Sequence, residues 1–157
     1  MRLLAVIGEE LAGYEAGGEW SVLSGLVAAN GPGSVDVHVL SLITPNKPSF
    51  WFGNPLGRAV ASTGGGSTPR ASYDAGASAR QRLDRALIYL HGLGLRADGD
   101  IADGSAFHAV RCEMANGRYA RVLVLIGNRR RGRWLIARLR RTLPVPVDGP
   151  AEPPRDG

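Results

Sequence analysis

The sequence predicts an α/β fold, an open parallel sheet with helices on both faces, and three observations carry that expectation. Short apolar runs alternate with longer segments of helical periodicity from one end of the chain to the other. That order of elements suits parallel strands, because each strand must return through a crossover before the next can pair. Residues 3–7 (LLAVI) and 121–126 (RVLVLI) are near-continuous apolar runs, the character of strands covered on both sides. Residues 95–101 instead alternate Leu95, Ala97, Gly99 and Ile101 with Arg96, Asp98 and Asp100, which marks a strand exposed on one side at a sheet edge.

The individual elements follow in chain order. The first strand stops at Gly8, and Trp20, Leu23 and Leu26 or Val27 recur at helical spacing within residues 15–29 before "NGPG" ends the segment. Gly17, Gly18 and Gly25 dilute that pattern. Residues 35–43 (VDVHVLSLI), closed by Thr44 and Pro45, read as a buried second strand, in which His38 is expected to be a hydrogen-bonded core residue. Residues 45–77 show no sustained period and read as a flexible insert, whose Phe50, Trp51 and Phe52 are expected to fold back over the core. Ser78 and Gln81 have capping-box spacing, so a helix is expected to start there, with Leu83, Ala86, Leu87 and Leu90 as its inward stripe, opposed by Arg82, Asp84 and Arg85. Gly92 or Gly94 should end it in the left-handed conformation.

After the edge strand, Ser105 is placed to cap a helix whose inward residues are Phe107, Val110 and Met114 and whose end is Gly117. The strand at 121–126 then leads through Gly127 to a helix with Leu135, Leu139 and Leu143 as a narrow seam, flanked by Trp134 and Ile136 and stopped by Pro144. Residues 145–147 (VPV) suit an edge or intersubunit strand. Residues 1–148 thus form a single domain, and residues 149–157 read as a disordered tail.

Composition narrows the function classes. A chain of 157 residues, 44% hydrophobic and 21% charged, matches an ordinary globular domain with one core. No apolar run approaches the roughly 18 to 20 residues needed to cross a bilayer, and the opening meets carboxylates too early for a secretory signal, so a cytoplasmic location is expected. The single cysteine, Cys112, excludes an internal disulfide and is expected to be a small buried apolar residue. A net charge of +5 favours anionic partners. The distribution is more telling: no acid occurs between Glu113 and Asp148, while Arg118, Arg121, Arg129, Arg130, Arg131, Arg133, Arg138, Arg140 and Arg141 lie within that window.

Three segments resemble the universal stress protein family, in particular its divergent actinobacterial-type members: "RLLAVIGEEL" at the start, "GLGLRADGDIADGSAFHAV" at 92–110, and "ARVLVLIGNRRRGRWLIARLRRTLPVPV" at 120–147. The resemblance implies a five-stranded sheet in order 3-2-1-4-5, a homodimer through the last strand at Val145, Pro146 and Val147, and, in some members, ATP at the strand ends. The family's nucleotide binders carry a glycine motif after the fourth strand. Here Gly127 matches its first position, Arg130 replaces the second glycine, Gly132 falls two residues late, and no Gly-Ser or Gly-Thr pair follows. Where those members place an Asp after the first strand, this chain has Gly8, Glu9 and Glu10, whereas Asp103-Gly104 is closer to the pattern.

Candidate nucleotide-binding residues are therefore Gly8, Glu9, Thr44, Ala102, Asp103, Gly127, Asn128, Arg129, Arg130, Gly132 and Arg133. Glycines let backbone amides approach phosphate oxygens, a helix start adds partial positive charge, and guanidinium forks take over where glycines are missing. The ligand would be ATP or AMP. His38, His91 and His108 lie on different elements and outside any catalytic signature, and Glu9, Glu10 and Asp103, which could hold a metal across the rim, read as solvated strand-end acids, so no enzyme activity and no metal site is expected. Two further readings remain at this stage, a non-nucleotide dimeric interaction module and a nucleic-acid surface on the arginines of the last helix.

Overall fold

The computed structural model describes residues 1–8, 20–31, 33–43, 69–127 and 129–149. They form β1 (Arg2–Ile7), α1 (Ser21–Asn30), β2 (Asp36–Leu42), α2 (Pro69–Gly92), β3 (Arg96–Ala102), α3 (Ala106–Asn116), β4 (Arg121–Leu125), α4 (Arg129–Thr142) and β5 (Val147–Asp148). The sheet is parallel throughout and its order is β3-β2-β1-β4-β5. The fold is thus the expected open α/β sheet in order 3-2-1-4-5, with the alternating strand β3 at one edge.

Strand alternation assigns the two faces. Leu3, Ala5, Ile7, Val37, Val39, Leu123 and Leu125 point to the side covered by α1 and α2, where Trp20, Leu23, Leu83, Ala86 and Leu90 complete one cluster. Leu4, Val6, Leu40, Leu42, Val122 and Val124 point to the other side, against Val110 of α3 and Leu135 and Leu139 of α4. Each fully buried aliphatic side chain here contributes about 1.5–3 kcal/mol, so the central strands, buried from Leu3 to Ile7 and from Val122 to Leu125, anchor the domain.

Gly99 shows how closely helix and sheet approach. A Cβ there would collide with the Val39 carbonyl and stand 2.6 Å from Leu83 Cδ1, so its missing side chain is what lets α2 settle onto the edge strand. Ser41 adds a second tie, its hydroxyl donating to the Ala79 carbonyl of α2 at 2.8 Å. Gly94, at φ +75°, provides the left-handed turn that ends α2.

Three expectations are corrected. The helix expected to begin at Ser78 begins at Pro69, so Ser78 is an exposed interior residue, and the last part of the 45–77 insert is helix. Pro at a first helical turn is tolerated because its missing N–H would have no partner there, and Ala75, Ala79, Leu83, Ala86 and Leu90 make one continuous buried stripe. Ala75 and Ala79 thus extend the stripe of Leu83, Ala86 and Leu90 toward the N-terminus. Ser105 occupies the N-cap position of α3 but its side chain makes no capping bond, whereas Gly117 ends α3 as expected, in an extended conformation at φ −116°. The last strand is Val147–Asp148 rather than 145–147: Val147 pairs with Val122, Pro146 accepts from the Val122 amide at 3.0 Å, and Val145 packs against the α3–α4 core. Phe50, Trp51, Phe52, most of the insert and residues 150–157 lie outside the described residues. Among the described residues, no helix is long and apolar enough to cross a membrane.

Candidate functional site

Parallel pairing brings the carboxyl ends of the strands to one rim. Ile7 is level with Ser41 and with Leu125, and Leu42 is level with Ala102, so Gly8, Ile43, Asp103 and Ile126 leave the sheet side by side. The helix that follows β1, α1, packs in the α1–α2 layer, whereas α4, which follows β4, packs in the α3–α4 layer. The winding of the sheet therefore reverses between β1 and β4, the kind of position outside which ligands bind in open α/β sheets.

The glycines at this switch point have distinct roles. A Cβ on Gly8 would stand 3.3 Å from both Ile126 Cγ1 and Cγ2, and one on Gly132 would stand 3.3 Å from the Ile126 carbonyl oxygen. Gly132 is buried, so it seats the second turn of α4 on the end of β4. Gly127, half-buried, forms the turn itself. The first turn of α4 that follows carries Arg129, Arg130 and Arg131 and no carboxylate. A helix start already bears partial positive charge, and each cation there is disfavoured by roughly 0.3–1 kcal/mol, an arrangement that an anion reverses.

On the other side of the rim, Gly104 at φ +86° gives the turn after β3, and the Asp103 carboxylate accepts the Gly104 amide at 2.7 Å. The Ala102 carbonyl accepts the Ile43 amide at 2.8 Å, which fixes the ends of β2 and β3 together. Arg82 also reaches this rim: its Nη2 donates to the Leu42 carbonyl at 2.7 Å. Arg82, expected on the solvent side of α2, flanks the buried Leu83 closely enough to turn inward.

The candidate residues therefore do not converge as one set. Gly8, Ala102, Asp103, Gly127 and the backbone of Arg129 share the rim, and Arg130 is exposed beside them. Arg133 turns to the β5 side, where it lines a cleft of about 460 Å³ with Arg121, Arg140, Ile136 and Asp148. Arg121 pairs with Asp148 at 2.6 Å there, tying β4 to β5. Glu9, Thr44 and Asn128, and the side chain of Arg129, lie outside the described residues.

A second polar cluster lies lower on the α3 face. His38 is 5% exposed and its Nδ1 donates to Asp98 Oδ1 at 2.6 Å, as expected of a hydrogen-bonded core histidine. Its Nε2 faces Glu113 Oε1 at 3.6 Å and Asp100 Oδ2 at 3.8 Å. The Tyr119 hydroxyl donates to Glu113, and Arg2 lies over the Tyr119 ring at 5.2 Å. Burial, reinforced by the hydrogen bond to Glu113 and its negative charge, raises the Tyr119 pKa far above the usual phenol range, so the phenol stays protonated and is no base. This cluster fastens the edge strand to α3. Among the described residues, no three His, Cys, Asp or Glu side chains are placed to share a metal ion.

Cys112 is corrected: it is exposed on α3, with its Sγ 3.4 Å from His108 Nε2, one helical turn away. Its apolar neighbours Val110 and Met114 take the inward positions, leaving residue 112 on the outer face. Comparison of the chain with family models, curated proteins and solved structures returned no match to any of them.

Proposed function

We propose that this protein is a universal stress protein-like signalling module that binds an adenine nucleotide, ATP or AMP, at the rim between β1 and β4. It would act as a switch rather than a catalyst, in a cytoplasmic stress response. The observation that carries the reading is the coincidence, at the switch point of the sheet, of a close-packed glycine turn with an arginine-bearing, carboxylate-free helix start. Phosphate oxygens would take the amides of the first turn of α4, with Gly127 giving access and Asn128, Arg129 and Arg130 alongside. The adenosine end would lie across Gly8 and Glu9 toward Thr44, Ala102 and Asp103. Gly132 supports the turn as a packing residue, and Arg133, directed toward β5, is the weakest member of the set.

Calorimetric titration of nucleotide-stripped protein with ATP and magnesium at physiological salt tests this. Saturable micromolar binding is expected, weakened at least tenfold by the double substitution Arg129→Ala and Arg130→Ala. A flat trace up to about 1 mM nucleotide, the weak end of useful affinity, rejects the reading.

The same resemblance supports a homodimer through the last strand. Val147 of β5 pairs with Val122 on one side only among the described residues, and the outer side of so short an edge strand suits pairing across a two-fold axis.

A further inference from the structure

Arg131, Trp134, Arg138 and Arg141 recur every three or four residues along α4, so they share one stripe. All four are exposed, and Trp134, with 58% of its surface open, is the largest apolar side chain left in solvent by the described residues. The stripe continues onto α3 through stacked planar groups. The Arg138 guanidinium lies 5.1 Å from the Trp134 ring centroid and 4.0 Å from that of Phe107, and the Arg111 guanidinium lies 5.8 Å from Phe107. Arginine and aromatic planes thus alternate across the two helices, each cation held against a ring.

The electrostatics are one-sided. Between residues 106 and 142 the sole acid is Glu113, and its carboxylate is turned inward to Tyr119 and His38. An ordinary solvated helix face mixes signs; this one offers guanidinium groups around an exposed indole, and α3 and α4 themselves supply no carboxylate besides Glu113. We infer that the outer face of α3 and α4 binds single-stranded nucleic acid, with Trp134 as the platform on which a base stacks and the arginines as phosphate contacts.

The exposed ring selects this occupant. An exposed indole offers a flat stacking surface, and unpaired bases supply a flat partner whatever their identity, while a duplex keeps its bases stacked inside. A membrane-lying helix needs a broad apolar face, whereas here one aromatic is ringed by arginines. The inference does not rest on nucleotide binding at the rim, and a flat ATP titration leaves it standing.

The test is fluorescence anisotropy of a labelled 20-nucleotide oligo-dT with the full chain at about 50 and 200 mM salt, alongside a duplex of equal length, poly-glutamate and phosphatidylserine-containing vesicles. Saturable binding is expected at the lower salt, falling steeply at the higher, as counterion release requires. Trp134→Ala should weaken it by about tenfold and Trp134→Phe by much less, since a phenyl ring still stacks. In the wild type the oligonucleotide should quench tryptophan emission, and in Trp134→Phe that quenching should vanish although binding persists. Absence of binding at the lower salt, affinity unchanged in Trp134→Ala, quenching retained in Trp134→Phe, or tighter binding to duplex, poly-glutamate or vesicles would each overturn the inference.

Discussion

Individual residues in this protein are constrained most where a side chain is missing or a proton is held. Gly99 has no room for a Cβ between the Val39 carbonyl and Leu83, so Gly99→Ala is expected to lower unfolding stability by about 1–3 kcal/mol, read by urea denaturation. Its alternation with Arg96, Asp98 and Asp100 was legible as an edge-strand pattern, but its closeness to α2 was not, because a sequence records no distance between elements. Tyr119 gives a pH signature. Its folded pKa lies above the unfolded value of about 10, so the protonated phenol contributes stability that is fully present below about pH 10 and is lost as pH rises further. Tyr119→Phe should cost about 1–3 kcal/mol at neutral pH, through the lost bond to Glu113. It should also remove the tyrosine's share of the alkaline decline, measured as stability against pH from 8 to 12.

At the level of elements, helix starts were the least legible feature. Ser78 with Gln81 satisfies a capping-box pattern, yet the chain is already helical from Pro69. Local hydrogen bonding at Ser78 is outcompeted by the buried stripe that begins at Ala75 and by the tie between Ser41 and the Ala79 carbonyl. Ser78→Ala is therefore expected to change stability by less than about 0.5 kcal/mol, or to raise it slightly through helix propensity, whereas loss of a true cap costs about 1 kcal/mol; thermal denaturation of the variant distinguishes the two. The helix α4 shows the reverse case. Leu135 and Leu139 on its seam and Gly132 on its inner side are buried as periodicity requires, whereas Trp134, expected to flank that seam, is largely exposed. What periodicity did not reveal is that Arg133 and Arg140 line a cleft beside β5 while Arg138 stacks on Phe107 of the neighbouring helix. Those partners come from elements far away in the chain.

Over the whole molecule, the proposed dimer is open to a mass measurement. Light scattering should return twice the 16.6 kDa chain mass at high micromolar concentration, and a monomer there removes the two-fold reading of β5. The sequence by itself determined the α/β class, the succession of strands and helices, the buried character of the central strands and the edge position of β3, because each depends on local periodicity and on how apolar a run is. It also displayed the acid-free, arginine-rich stretch, since composition needs no coordinates. Tertiary structure alone decided which rim residues stand together, that Arg82 reaches the end of β2 and Arg133 turns away, that Cys112 faces outward, and that Arg111, Phe107, Arg138 and Trp134 form one stacked series. The physical reason is that a side chain's direction follows from its own helix or strand, whereas its partners depend on where distant elements pack.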